Sequence, residues 1–339
     1  MSHKDDGLTG AHETGADGTE TTARRDFLKV AAAAGVAIPG SAAIAQVASP
    51  VRQLRRGLRA STWHIQAARV VQSFLDGTTL PYYRFVAQGA TKVAGTMPVL
   101  DARAGSVVSL RVSNILPVAI QPTIIGGATG PVINPGEDVT FNIEVPQVGT
   151  WLLTDALLGD AAGPMGLGAV VIARPAAVKA RPIPHGQVGV ARREYVLAYT
   201  DSDDRWNNAI DAGGAPDYAL YEPNYHTLNN LTFPDTTSDP GTTINCLVGE
   251  TVLLRMCNFG FVRHSLHFHG YHVDIKRVNN ADELNLGSKD TIGLAAQSTM
   301  EVELPVLQPG LYPLHPHSLT MVTDNGLYAA GQITLIVAT

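Results

Sequence analysis

One pattern of small, apolar and polar residues occurs twice along this chain, with its two copies 144 residues apart. The first copy is Gly105, Val108, Leu110, Arg111 and Asn114, and the second is Gly249, Val252, Leu254, Arg255 and Asn258. Two later pairs, 149–151 with 310–312 and 166–169 with 326–329, recur at offsets of 161 and 160 residues. A repeat of this length predicts one structural unit built twice in tandem.

Apolar and polar residues alternate within both copies. The segments 139–145 and 300–304 alternate in this way, which is typical of half-buried β-strands. Further strands are predicted at 106–112, 251–257 and 332–338. Turn-forming residues separate these segments, and no long segment has the period of a helix. We therefore predict an all-β chain of two β-sandwich domains.

The first 45 residues are predicted to be an export signal rather than part of the fold. Arg24 and Arg25 precede an apolar run, 30–38, and the arrangement resembles a twin-arginine signal. That run has about nine residues, well short of the ~20 that span a bilayer, so no transmembrane segment is expected. The small residues of Ala43–Ala45 predict cleavage before Gln46, and hence a periplasmic or secreted protein.

The remaining chain divides at a proline-rich stretch. Pro175, Pro182 and Pro184 lie in or beside the segment 176–192, which is the predicted linker. The first domain is then 46–175 and the second is 193–339. The chain carries a formal charge of -6 and no basic run, so nucleic acid is not expected as a partner. The two cysteines, Cys246 and Cys257, are too few for a disulfide framework and are expected to be buried and reduced, although a disulfide is the alternative.

Five of the 11 histidines fall in two short segments of the second domain. His267 and His269 form one His-x-His pair, His315 and His317 form another, and His264 lies three residues before the first pair. Residues i and i+2 of a strand project from the same face, so two adjacent strands would bring four imidazoles together. Such a group suits copper or zinc. We expect one ion per subunit, copper in preference to zinc.

With these motifs the chain resembles the multicopper oxidases of the two-domain, small-laccase type over residues 60–339. The resemblance implies two tandem cupredoxin-like Greek-key β-sandwich domains. The segment His264–Gly270 matches the family motif His-Pro-x-His-x-His-Gly, with Ser265 in place of proline. The match implies that His264 is a type 1 copper ligand, and that His267 and His269 are type 2 and type 3 ligands.

The other family motif found in this chain, His-Cys-His, matches less well. His315 and His317 occupy the type 3 ligand positions, but Pro316 replaces the cysteine whose thiolate holds type 1 copper and conducts electrons. Met321 replaces a later histidine and is either a soft ligand for Cu(I) beside His264 or a core residue.

The first domain departs further from the family pattern. The segments 121–123 and 154–156, Gln-Pro-Thr and Thr-Asp-Ala, stand where the family has two more His-x-His pairs. All four ligands of this domain are therefore predicted to be lost, which argues against a competent laccase.

Two functions of different classes remain open. The first is an exported, copper-binding protein with at most limited oxidoreductase activity at the residual histidine site. The alternative is a catalytically inactive pseudo-oxidase that acts as a structural or interaction module in the periplasm. Because two-domain members of the family assemble as trimers, the resemblance also implies a homotrimer.

Overall fold

The computed structural model describes residues 62–175, 191–283 and 285–339 as two β-sandwiches. The predicted export signal and most of the predicted linker lie outside these residues. The first strand of the second sandwich begins at Ala191, so it takes up the last two residues of the predicted linker, 176–192. The predicted all-β class, with two cupredoxin-like sandwiches, is confirmed.

The first sandwich contains nine strands in two sheets. They are β1 (Trp63–Ser73), β2 (Thr79–Ala87), β3 (Lys92–Ala94), β4 (Met97–Arg103), β5 (Val107–Asn114), β6 (Pro122–Ile124), β7 (Asp138–Glu144), β8 (Gly149–Asp155) and β9 (Ala169–Arg174). One sheet has the order β2-β1-β5-β7 and the other β3-β4-β9-β8-β6. The core between them includes Trp63, Phe85 and Leu110.

The second sandwich repeats this arrangement of strands and adds several short strands to it. Its strands are β10 (Ala191–Ser202), β11 (Tyr225–Leu228), β12 (Ile244–Cys246), β13 (Thr251–Asn258), β14 (His264–Phe268), β15 (Val273–Val278), β16 (Ala281–Asp282), β17 (Ser288–Lys289), β18 (Thr291–Leu294), β19 (Thr299–Pro305), β20 (Gly310–Pro316), β21 (Thr323–Asp324), β22 (Leu327–Tyr328) and β23 (Thr334–Ala338). One sheet has the order β11-β10-β13-β19-β15-β16, with β17 also beside β15, and the other β12-β23-β20-β14-β18. Strands β21 and β22 form a separate pair.

Matching strand pairs show that the sequence repeat is a repeat of topology. The parallel pair β1/β5 corresponds to β10/β13, and the parallel pair β4/β9 corresponds to β12/β23. The five strands predicted from the alternating pattern all form, within one or two residues of their expected ends. Both cysteines are buried and free, as expected.

Short helices connect some of the strands. Helix α1 is Ala162–Met165, and helix α2 is Asp204–Asp211. Three 3-10 turns lie at Gly159–Ala161, Asp235–Thr237 and Leu319–Val322. Helix α2 was not predicted from the sequence. It begins where the Asp203 carboxylate accepts a hydrogen bond from the Arg205 amide. No helix of the described ranges is long and apolar enough to cross a membrane.

The two sandwiches share a buried junction. Apolar residues of both halves form one cluster there, with Met97, Leu152 and Ile172 from the first and Val196 and Phe259 from the second. Buried charged side chains also link the two halves, since Arg174 of the first pairs with Glu194 of the second. The junction therefore has an apolar core of its own.

Candidate metal centre

The pairing of β14 with β20 brings four of the predicted histidines together. His267 lies directly opposite His315 across the two antiparallel strands. His269 follows the end of β14, and His317 follows the end of β20. Ring centroids are 4.5 Å apart for His267 and His269, 5.1 Å for His269 and His315, and 5.1 Å for His267 and His317. We call these four residues the imidazole cluster.

Two ring nitrogens of the cluster face each other. Nε2 of His269 lies 3.0 Å from Nε2 of His315, and Nδ1 of His315 lies 2.8 Å from the carbonyl oxygen of Pro316. Because a carbonyl oxygen only accepts, His315 must carry its hydrogen on Nδ1, which leaves a lone pair on Nε2. His267 is oriented in a similar way, since its Nδ1 lies 2.9 Å from the Thr291 hydroxyl.

Burial keeps His269 and His315 neutral. Burial and, to a smaller extent, the nearby rings of His315, His267 and His317 together lower the pKa of His269 to about 4. Burial also lowers the pKa of His315. His317 lies at the exposed rim of the cluster. Neutral imidazole is the form that binds a metal ion, so the inner half of the cluster is in the binding form at neutral pH.

The structure does not place His264 in the imidazole cluster. Residues of β14 alternate between two faces, and His264 is fully buried on the inward face with Leu266 and Phe268. Its ring lies 5.4 Å from that of Tyr199, and its Nδ1 lies 3.1 Å from Nδ2 of Asn258. The predicted set of five ligands is therefore divided between the two faces of one strand.

The inward site does not fit type 1 copper. Pro316 pairs with Leu266 beside His264 and offers no donor atom in its side chain. Neither cysteine replaces the thiolate, because both thiols are buried and burial raises the pKa of Cys246 to about 12 and that of Cys257 further still. Met321 is buried within the 3-10 turn Leu319–Val322.

The strand register corrects the predicted positions of the lost first-domain ligands. Thr123 pairs with Thr154 across β6 and β8, as His267 pairs with His315 across β14 and β20. Both segments then reach a glycine with positive φ, Gly126 at 73° and Gly270 at 68°. Counted from these glycines, Thr123 and Ile125 stand at the positions of His267 and His269. The sequence-based prediction put the lost His-x-His pair at Gln121 and Thr123, which is two residues too early.

The first-domain residues at these positions have partners of their own. The Thr123 hydroxyl lies 2.7 Å from that of Thr129, and the Thr154 hydroxyl donates to the Leu167 carbonyl oxygen at 3.0 Å. Asp155 is buried between them and accepts from the Gln121 and Leu158 amides, while burial raises its pKa. This edge of the first sandwich is a closed hydrogen-bonded surface, with no imidazole to offer a metal.

The donors present fit one ion better than several. Nitrogen atoms 3.0 Å apart, as in His269 and His315, are spaced like two ligands of one ion whose bonds are about 2.0–2.1 Å long. In the described ranges, however, no three side chains of His, Cys, Asp or Glu already stand as a complete ligand set. His267 and His317 would have to turn their rings toward the pair to complete a site. A trinuclear cluster does not fit, because the first-domain positions hold no imidazole.

A family model for multicopper oxidases matches residues 200–334, which include the whole imidazole cluster and His264. Over these residues the chain is similar to the multicopper oxidases. The resemblance predicted from the two histidine motifs is thereby confirmed. A comparison with curated protein sequences finds no match.

Solved structures extend this likeness to both sandwiches. A blue copper oxidase from Nitrosomonas europaea is similar with a TM-score of 0.68 and 20% identity, covering 81% of this chain and 85% of that chain. A copper-containing nitrite reductase from Thermus scotoductus SA-01 is similar with a TM-score of 0.61 and 16% identity, covering 81% of this chain and 61% of that chain. At these identities the likeness shows a shared fold. Both sandwiches thus share the fold of these two copper proteins.

Proposed function

We propose that this multicopper oxidase-like protein binds a single copper ion in the imidazole cluster and does not act as a laccase. The observation that carries the proposal is the pair of facing Nε2 atoms of His269 and His315, 3.0 Å apart on neutral rings. First-row metals bind nitrogen ligands with an affinity that favours Cu(II) over Zn(II), so zinc is the weaker competitor.

The chain's own residues prepare this site. The Pro316 carbonyl fixes the hydrogen of His315 on Nδ1 and directs the Nε2 lone pair toward His269. The Thr291 hydroxyl holds the orientation of the His267 ring through its Nδ1. His269 must move its hydrogen from Nε2 to Nδ1 when an ion takes the place of that hydrogen. Copper held by imidazoles can exchange one electron, and this is the limited redox chemistry that the site would support.

Two structural features argue against four-electron oxygen reduction. Pro316 removes the thiolate that accepts electrons, and the first-domain positions of Thr123, Ile125, Thr154 and Ala156 supply no imidazole. Copper-loaded protein should therefore lack the intense absorption of a copper thiolate and should not turn over phenols. Pro316→Cys alone should not restore phenol oxidation, since it leaves the four first-domain positions unchanged. Phenol turnover by the wild-type protein would contradict the proposal.

Export and assembly form part of the same proposal. Arg24 and Arg25 with the Ala43–Ala45 segment support twin-arginine export, which delivers folded proteins to the periplasm or beyond. The two-domain architecture supports a homotrimer. Mass spectrometry of the exported protein should find a chain that begins near Gln46, and light scattering should give three times its mass. A monomeric mass would contradict the predicted trimer. A mature chain that retains Arg24 would contradict the predicted export signal.

The alternative function is a structural or interaction module without metal. The hydrogen-bonded first-domain edge around Asp155 favours it, because that edge is built to be stable without an ion. Titration of the untagged, metal-free protein with Cu(II) at neutral pH separates the two functions. We expect one site in the wild-type protein, its loss in His269→Ala with His315→Ala, and its retention in His64→Ala, which changes a first-domain histidine. No copper uptake by the wild type would leave the structural module.

A further inference from the structure

The open face of β14 carries an arginine in line with the imidazole cluster. Residues of β14 alternate between a buried face and an open face, and Ser265 and His267 lie on the open one. Arg263 directly precedes the strand, is exposed and continues the same alternation. Arg263, Ser265 and His267 therefore form a row of side chains that leads to the proposed copper site.

The Arg263 guanidinium lies over Gly293 of the neighbouring strand, β18. A Cβ added to Gly293 would overlap Nη2 of Arg263 and would lie 2.8 Å from its Nε. Gly293 and Thr291 are on the outward face of β18, and the Thr291 hydroxyl lies 2.9 Å from Nδ1 of His267. The guanidinium and the imidazoles thus share one face of the sheet, and the absence of a side chain at Gly293 leaves the room that the guanidinium occupies.

Ser265 lies between the guanidinium and the rim of the imidazole cluster. It is opposite Gly293 across β14 and β18, and its carbonyl oxygen accepts from the His317 amide at 2.6 Å on the other side. Neighbouring strands are about 4.8 Å apart, and residues i and i+2 of a strand are about 7 Å apart. A small ligand above Ser265 is therefore within reach of Arg263 and of the imidazoles. Arg263, Ser265 and His317 are all exposed, so such a ligand can approach from solvent.

The charge of Arg263 is not compensated by the protein. Within the described ranges no carboxylate forms an ion pair with it. Other exposed arginines do have such partners, since Arg69 pairs with Asp211 and Arg111 pairs with Asp138, each at 2.6 Å. A copper ion on neutral imidazoles would add further positive charge to the same face. The planar guanidinium matches the two oxygens of a carboxylate, which makes that group the best-fitting anion.

We infer that Arg263 and Ser265 bind a small organic carboxylate beside the imidazole cluster, where it shares the copper ion as a ligand. One carboxylate oxygen would accept from the guanidinium and from the Ser265 hydroxyl, which leaves the other oxygen for the metal. An ion held by three imidazoles keeps a coordination position for an oxygen of this kind. The carboxylate site rests on the proposed function, because copper supplies one of its two attachment points.

Electron paramagnetic resonance of the copper-loaded, untagged protein tests this site. Sodium acetate is titrated at pH 7, with sodium perchlorate keeping the ionic strength constant. In the wild type we expect the copper signal to change with acetate and to saturate. Arg263→Met should bind one copper as the wild type does, but its apparent acetate affinity should be at least about tenfold weaker, because a charge-assisted hydrogen bond is lost. Arg263→Lys should lose less, since it keeps the charge without the planar fork.

Gly293→Ala provides a second test that leaves Arg263 itself unchanged. The added methyl group would displace the guanidinium, and only the end of a flexible side chain has to move, so the strand should be retained. We expect the acetate affinity to fall several-fold and the copper content to stay at one per chain. Arg111→Met is the matched control, because it removes an exposed arginine of the first sandwich and should leave the acetate affinity unchanged.

The copper content of each sample separates the two proposals. If the wild type takes up no copper, the proposed function is overturned, and the carboxylate site with it. Copper uptake without a saturable acetate effect overturns the carboxylate site alone. Equal acetate affinities in Arg263→Met and the wild type would also overturn it, because they would show that the carboxylate is held by the metal and not by Arg263.

Discussion

His226 shows how burial sets the charge of a side chain in this protein. It is 1% exposed on β11, where its backbone lies opposite that of Asp201 on β10, and its Nδ1 has no hydrogen-bond partner among the described residues. Burial, with a smaller effect of the nearby His264, lowers the pKa of His226 to about 3. The ring is therefore still neutral in the folded chain near pH 6.5, where an unfolded histidine takes up its proton.

This difference makes acid destabilise the folded state. Between pH 6.5 and about 3 the unfolded chain binds a proton at His226 that the folded chain does not bind, so the stabilisation is fully present above pH 6.5 and is lost as the pH falls. Below pH 6 the free energy of unfolding should fall with pH less steeply in His226→Phe than in the wild type. The two slopes should differ by about 1.4 kcal/mol per pH unit. Urea denaturation at pH 7, 6 and 5 measures the slopes.

The exposed His272 provides the comparison, because His272→Gln should leave the slope unchanged. Equal slopes in His226→Phe and the wild type would show that His226 does not carry the acid sensitivity.

The hairpin of β15 and β16 contacts the first sandwich through its turn. Asn279 and Asn280 of that turn both have positive φ, 49° and 65°, which asparagine tolerates better than most residues. The side chain of Asn280 accepts from the Thr150 amide at 2.8 Å and donates to the Thr150 carbonyl oxygen at 3.0 Å. The turn thus forms two hydrogen bonds with the backbone of one residue of β8.

Asn280→Ala should remove both hydrogen bonds and place alanine in an unfavourable conformation. We expect the free energy of unfolding to fall by about 1–3 kcal/mol, since a partly buried amide and carbonyl of Thr150 lose their partners. Urea denaturation measures the change. Asn208→Ala, on the exposed face of α2, should change stability by no more than about 0.5 kcal/mol. A similar small effect for Asn280→Ala would contradict the role given to the hairpin.

The sequence predicts the strands and the pairing of the histidines, but only part of what surrounds them. The offset of 144 residues already relates Thr123 to His267 and Gly126 to Gly270, so the lost ligands could have been placed correctly from the repeat alone. The contact of Asn280 with Thr150 could not be predicted, because the two residues are separated by 130 positions and no local pattern relates them.

A buried ionic network links the two sandwiches. Arg255 of β13 pairs with Glu194 and Glu301, and the Thr150 hydroxyl of the first sandwich donates to Glu301 at 2.6 Å. Arg174 of the first sandwich also pairs with Glu194, at 2.8 Å. Burial opposes the charge on Glu194, but the Arg255 and Arg174 guanidinium groups hold the pKa of that carboxyl well below its usual range. The network therefore depends on all its charges being present.

Arg255→Met should destabilise the protein by about 3–5 kcal/mol, because it removes the buried guanidinium that pairs with both Glu194 and Glu301. Replacing Glu301 by Gln in the same chain should recover part of this loss, since one of the two buried negative charges is then removed as well. Calorimetric unfolding of the single and double variants measures both effects. If the double variant were less stable than Arg255→Met, the excess negative charge would not be the cause of the loss.

The copper content of the exported, untagged protein decides whether the imidazole cluster holds a single ion. Metal analysis after loading with Cu(II) and removal of excess ion should find one copper per chain, and electron paramagnetic resonance should show one signal with nitrogen ligands and no copper-thiolate absorption. That result follows from four imidazoles at β14 and β20, a proline at the thiolate position and no imidazole at the matching first-domain positions. Three or four coppers per chain, or none, would contradict it.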